Sequence, residues 1–186
     1  VTYYGINSDR QGLVHIIVSN IAYNPDLKMA WGSTYFGLTG YDGRNWHNYL
    51  SKDSGLISDF INAPKARANE VWACTDKGLS FLDYKTNTWV SYRPNKETGK
   101  GEAIITWPDG KKTTLDTPTT LAHNYTLNME FQGKDIWVAT AKGLSHGIRE
   151  PQMEAQIYAS AGLIRGSNRN NGGGRKVPQA HPPKGY

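Results

Sequence analysis

Apolar residues along this chain gather in short runs rich in Val, Ile, Trp and Tyr. Turn-forming clusters separate the runs: Asn24-Pro25-Asp26, Asp42-Gly43, Asp53-Ser54-Gly55 and Pro108-Asp109-Gly110. No stretch holds its apolar positions at the 3.6-residue spacing of an amphipathic helix for long enough to predict one. The runs predict strands over 15–23, 28–34, 37–41 and 45–50, then over 57–63, 70–75, 79–84 and 88–92. A third series comes next, over 126–131, 135–140 and 143–148.

These series are copies of one unit. The phrase Trp-x-x-Thr-x-x-Gly-Leu occurs three times, with Trp31, Thr34, Gly37 and Leu38, then Trp72, Thr75, Gly78 and Leu79, then Trp137, Thr140, Gly143 and Leu144. Trp31 and Trp72 lie 41 residues apart, and a second marker, Trp46 to Trp89, repeats at 43. A period of about 42 residues with four short strands per period matches the blade of a β-propeller rather than a helical-pair repeat. The three copies of the phrase are expected at the same place in successive blades, with their Trp side chains buried between adjacent sheets.

Between the second and third copies the Trp spacing stretches to 65 residues, which leaves one extra hairpin's worth of chain. Residues 102–107, the Pro108-Asp109-Gly110 turn and residues 111–115 read as that hairpin. Insertions in repeat proteins often map to the binding face, so the hairpin, Trp107 included, is a candidate partner-binding surface; the alternative is a decorative hairpin without a partner. The third copy ends degenerately. The outer-strand Trp is missing, and Ile157-Tyr158 with Gly162-Leu163 after it keeps the pattern.

The phrase Val71-Trp72-Ala73-Cys74-Thr75, continued by Gly78-Leu79-Ser80-Phe81-Leu82-Asp83-Tyr84, Trp89 and Tyr92, resembles the two-component regulator propeller repeat. The resemblance covers roughly residues 1–148. It implies an all-β propeller fold, a periplasmic or extracellular location and a binding or scaffolding role, and it supplies no catalytic residue. The chain departs from the sensor pattern in having no membrane span, no kinase segment and fewer blades. A propeller ring needs about four to eight blades to close. About three are present, so the ring is expected to be incomplete, with the remaining blades coming from a missing segment or another chain. The expected division is the end of a preceding blade over 1–13, blades over 14–56 and 57–92, the hairpin insertion over 93–122, a degenerate blade over 123–164 and a tail over 165–186.

Charge changes the picture once it is localised. The net charge is +5, but residues 166–186 hold four cations and no acid, so the body is nearly neutral and shows no basic face for nucleic acid. The Gly/Pro-rich tail is too poor in apolar residues to fold alone, and is expected to lie extended on an acidic surface of another protein subunit. Arg165, Arg169, Arg175, Lys176, Lys184 and Tyr186 are the candidate partner-binding residues there.

Candidate chemistry is sparse. The single cysteine, Cys74, sits inside a repeat strand and reads as a small buried thiol. The five histidines fall at positions read as non-equivalent, none spaced for a metal pair, and Asp42, Asp83 and Asp109 sit in turns where a carboxylate caps backbone N–H groups. No catalytic residue, metal or cofactor is expected. Three function classes remain, in this order: a non-catalytic scaffold or interaction subunit of an exported multi-protein assembly, a ligand- or glycan-sensing extracytoplasmic propeller, and a propeller enzyme with carboxylates at the channel mouth. Exposed aromatic rings around the channel would favour the second.

Overall fold

The structure, a computed structural model, describes residues 12–149. Thirteen antiparallel strands lie in three sheets among these residues, with no helix. The first sheet, in spatial order, is β1 (Val18–Asn24), β2 (Met29–Thr34), β3 (Gly37–Tyr41) and β4 (Trp46–Tyr49). The second begins with β5 (Ile61–Arg67), β6 (Glu70–Thr75), β7 (Leu79–Asp83) and β8 (Thr88–Pro94), and the hairpin β9 (Gly101–Thr106) and β10 (Lys112–Thr117) adds to its outer edge. The third consists of β11 (Thr126–Gln132), β12 (Asp135–Thr140) and β13 (Gly143–Gly147). These are stacked propeller blades, and the described residues do not close a ring.

The three Trp residues occupy the third position of β2, β6 and β12, so the repeat marks equivalent places in space as well as in sequence. Each first strand also carries a register shift at the same point, between Val18 and Asn20, Ile61 and Ala63, and Thr126 and Asn128. Each Trp-bearing face looks toward the next sheet. Trp31 and Leu38 pack with Val71, Ala73 and Leu82 of the second sheet, and Trp72 and Leu79 pack with Met129 and Val138 of the third. Trp31 and Trp72 are buried as expected, but Trp137 is half-buried, because no described sheet covers the far face of the third unit.

The Thr and Gly of the repeat build one turn three times. Thr34, Thr75 and Thr140 each donate their Oγ1 hydrogen to the carbonyl of Gly37, Gly78 or Gly143 at 2.8 Å. The same hydroxyl oxygens accept the N–H of Phe36, Lys77 and Lys142 at 3.1–3.2 Å. The glycines have φ of 122°, 151° and 123°, a region that L side chains rarely adopt. The turn therefore fixes Thr and Gly and leaves the two residues between them free to vary.

Two inner strands begin later than the sequence pattern suggests: β1 starts at Val18 rather than residue 15, and β5 runs Ile61–Arg67 rather than 57–63. Side chains in the preceding residues compete for the backbone. Ile17 N–H donates to His15 Nδ1, Phe60 N–H to Ser58 Oγ and Tyr125 N–H to His123 Nδ1, which holds each entry as a turn. His15 and His123 are thus equivalent, which corrects the reading of the histidines as scattered. Pro64 inside β5 is accommodated because β5 is an edge strand of its sheet.

The repeat supplies its own control for core energetics. Leu38→Ala should cost about 2–5 kcal/mol and Trp31→Ala about 3–5 kcal/mol in denaturant unfolding, as cavities in a packed interior. The same change at the equivalent Leu144, which is 63% exposed, should stay within about 0.5 kcal/mol. Equal costs at Leu38 and Leu144 would show that the sheets do not stack in this order.

Candidate functional site

Three surfaces stand out, and each arises from the repeat. The first is the pair of outer faces. In β11, Met129 and Phe131 pack against the Trp72 side of the second sheet. By pairing register their counterparts in β1 are Ile21, opposite Gly32, and Tyr23, opposite Ala30. Ile21 is 75% and Tyr23 64% exposed. At the other end Leu144 is 63% exposed, whereas its counterparts Leu38 and Leu79 are at 0% and 1%. The positions buried inside the stack are therefore open at both of its described ends.

The second surface is the end of the sheets that carries the Thr-x-x-Gly turns. The variable pairs there are Tyr35-Phe36, Asp76-Lys77 and Ala141-Lys142. Tyr35 stacks on Phe60 with ring centroids 4.9 Å apart, and Phe36 meets the His15 ring at 4.7 Å. Ile16, Ile17, Tyr35 and Phe36 are all exposed, so an aromatic and aliphatic patch lies on the first unit. Asp76 sits in a confined space: its Oδ1 is buried without a hydrogen-bond partner, while its N–H donates to the Phe60 carbonyl.

The third is a cleft of about 580 Å³ between the second and third sheets. Phe81, Val90 and Tyr92 line one wall, Ile136 and Val138 the other, and Leu121 closes one end. Glu70 stands at its rim. Burial on its own would raise the Glu70 pKa; hydrogen bonds from Arg149 and the Trp72 indole, with the charges of Arg149 and Arg67, outweigh it and hold the carboxyl below its ordinary value.

The turn carboxylates are committed to structure. Asp42 accepts the N–H groups of Arg44 and Asn45 at 2.8 and 2.7 Å, and these bonds with that of His47 hold its pKa well below the carboxylate range. Asp83 and Asp109 cap their own turns in the same way. Burial pushes the Cys74 thiol up to about 12, against the smaller lowering effect of a Thr126 hydrogen bond, so it remains a protonated core group. Among the described residues no group of three or more His, Cys, Asp or Glu side chains is placed to hold a metal, and no helix is long and apolar enough to cross a membrane.

Of the expected partner-binding residues, Arg165, Arg169, Arg175, Lys176, Lys184 and Tyr186 lie outside the described residues. Trp107 does not face outward. It is 7% exposed and packs with Val90, Ala103 and Ile105, because alternation along β9 turns 103, 105 and 107 to the same face. The hairpin that carries it extends the second sheet. The repeat residues are the ones brought into register. The strand-entry turns are a recurring feature that the repeat phrase does not announce; their signal is spacing, since Ser58 and His123 both precede their repeat Thr by 17 residues and His15 precedes Thr34 by 19.

No protein-family model matches the chain, and no curated protein does. Among solved structures it is similar to the extracellular domain of a hybrid two-component system from B. thetaiotaomicron, at 14% identity and a TM-score of 0.35 over 72% of this chain and 27% of that one. It is also similar to PorZ, a surface component of the type-IX secretion system of Porphyromonas gingivalis, at 17% identity and a TM-score of 0.36 over 70% of this chain and 21% of that one. The match therefore spans only a minor part of the length of either structure.

The Glu70 cluster gives a pH test with a defined sign. Its lowered pKa contributes stability that is complete above the ordinary value of 4.5 and is lost as pH falls through the lower folded value. Glu70→Gln should therefore cost about 1–2 kcal/mol at pH 7 and clearly less at pH 3, read by urea unfolding at both. A cost that does not change with pH would mean the carboxylate charge plays no part.

Proposed function

We propose that this chain is a run of blades from an exported β-propeller that serves as a non-catalytic interaction module of a multi-protein assembly. The observation that carries the reading is the pair of open faces: Ile21 and Tyr23 at one end and Leu144 at the other are exposed where their interior counterparts are buried. Apolar positions arranged like those of a sheet-to-sheet interface need a neighbour of the same kind. The resemblance to the two-component regulator propeller repeat supports the exported location and the binding role. In this reading further blades, from a missing segment or another chain, cover the two faces, and the basic residues from Arg165 to Lys184 engage an acidic protein surface.

Sensing of a small ligand or glycan is the second reading. It is favoured by the exposed Tyr35-Phe36 pair, which offers ring faces at the turn end of the first unit. An enzyme would need acids at equivalent loop positions of successive units; the variable turn pairs provide Asp76 alone.

The test compares surface and interior copies of one position. Tyr23→Lys with Leu144→Lys should leave the unfolding free energy of the isolated chain within about 0.5 kcal/mol of the parent and abolish its incorporation into the assembly, while Met129→Lys should unfold it. Deleting residues 166–186 should leave folding intact and weaken incorporation in a salt-dependent way. Full incorporation of the double variant would overturn the proposal. Loss of a bound ligand on Phe36→Ala with assembly untouched would favour the sensing reading instead.

A further inference from the structure

The second sheet has two edges, and they are built differently. At β5 the edge is interrupted by Pro64 and by the register shift between Ile61 and Ala63, features that discourage another strand from adding to it. β10, at the opposite edge and part of the inserted hairpin, has neither: it pairs with β9 without a break from Lys112 opposite Thr106 to Thr117 opposite Gly101. Beyond Thr117 the chain turns back over Gly101, where the Thr119 carbonyl and the Thr120 Cα approach, and does not run along the outer side of β10. Among the described residues that side is uncovered.

The hydrogen-bond phase of the hairpin says which backbone groups face outward. Trp107 N–H donates to the Lys111 carbonyl at 2.9 Å, so the pairs that exchange bonds further along the ladder are 113 with 105, 115 with 103 and 117 with 101. The N–H and C=O groups of Lys112, Thr114 and Asp116 therefore point away from the sheet. Their side chains share one face and are all exposed. Neither Lys112 nor Asp116 forms an ion pair among the described residues. The edge thus offers three residues with free backbone groups, a cation at one end, an anion at the other and Thr114 midway between them.

We propose that the outer edge of β10 is a self-association site, at which β10 of a second copy of this chain adds antiparallel about a two-fold axis through Thr114. That arrangement is self-complementary. Lys112 stands opposite the partner's Asp116 and Asp116 opposite the partner's Lys112, so two ion pairs form where each copy alone has none. Thr114 meets the partner's Thr114, and all three pairs join residues whose backbone groups are free, as an antiparallel ladder requires. Other registers lose this match. An axis through Thr113 sets Lys112 opposite Thr114, one through Leu115 sets Asp116 opposite Thr114, and one between two residues sets outward groups against inward ones. On the other face Thr113 meets the partner's Leu115; both are half-buried, and Leu115 packs with the cluster of Val90, Ala103, Ile105 and Trp107, so the apolar layer runs on across the axis. The two six-stranded sheets become one of twelve strands. This goes beyond the proposed function and does not rest on it, because the edge of β10 and the two open sheet faces are separate surfaces.

Charge reversal in the full chain tests it by sedimentation equilibrium. An interface confined to one strand edge is smaller than that of a tight dimer, so the parent should show a monomer–dimer equilibrium at concentrations up to about 500 μM. Lys112→Asp alone, or Asp116→Lys alone, sets like charges opposite each other twice and should weaken the dimer on the order of tenfold. Both changes in one chain should restore it, and an equal mixture of the two single variants should form mixed dimers at the parent's strength. Thr114→Pro removes an N–H that β9 does not use, and should abolish association while leaving the unfolding midpoint unchanged. A parent that stays monomeric at the highest concentration, or single charge variants that associate as the parent does, would overturn the proposal. So would a dimer that survives Thr114→Pro and is lost on Tyr23→Lys with Leu144→Lys, a result that would assign self-association to the open sheet faces.

Discussion

The interaction on which the rest of this structure depends is the burial of one Trp and Leu face per unit against the next sheet. A four-stranded sheet of this size cannot bury a core alone; it gains one by covering the apolar positions of its neighbour. Trp31 and Leu38 are covered by the second sheet and Trp72 and Leu79 by the third, and these contacts form the two principal clusters of the core. Hydrogen bonds across the same seams hold the sheets in register: Asn24 Nδ2 donates to the Ala68 carbonyl and Asn62 Nδ2 to that of Thr126. At the second seam the Arg67 guanidinium also lies 3.9 Å over the Phe131 ring.

Because this burial is sequential, its absence at the ends has a defined chemistry. The first sheet opens with the partner side of the interface, Ile21 and Tyr23, and the third with the Trp and Leu side. The two exposed faces are therefore complementary halves of a contact that occurs twice inside the chain, which distinguishes them from incidental surface hydrophobes. Polar residues obey an opposite logic. Asp42, Asp83, Asp109, Ser58, His15 and His123 are taken up by turns and strand entries, so these six side chains serve to position the sheets.

Much of this architecture is legible in the sequence because the repeat phrase carries its own physics. Trp and Leu mark the buried face, and Thr with Gly marks a turn that needs both a hydroxyl and a positive φ, so the third positions of β2, β6 and β12 align on sequence alone. The strand entries are legible only through spacing, since the acceptor of the backbone N–H is a His Nδ1 at His15 and His123 but a Ser Oγ at Ser58, and identity-based comparison does not see a shared acceptor. The side on which Trp107 lies is hidden for a related reason. Residues 103–107 are apolar or small on both faces, and only the pairing of β9 with β8 decides which face is covered. The exposure of Leu144 and Trp137 depends on whether another sheet packs over the third, and no local pattern encodes that.

The central claim, that equivalent positions are buried inside the stack and open at its ends, is tested most directly by hydroxyl-radical footprinting of the isolated chain. The account predicts fast labelling of Tyr23 and Leu144 and slow labelling of their counterparts Phe131, Leu38 and Leu79, with Met29 and Met129 resisting oxidation despite their intrinsic reactivity. Similar rates at Leu38 and Leu144 would contradict it, because a repeat position would then have the same surroundings in the interior of the stack as at its edge.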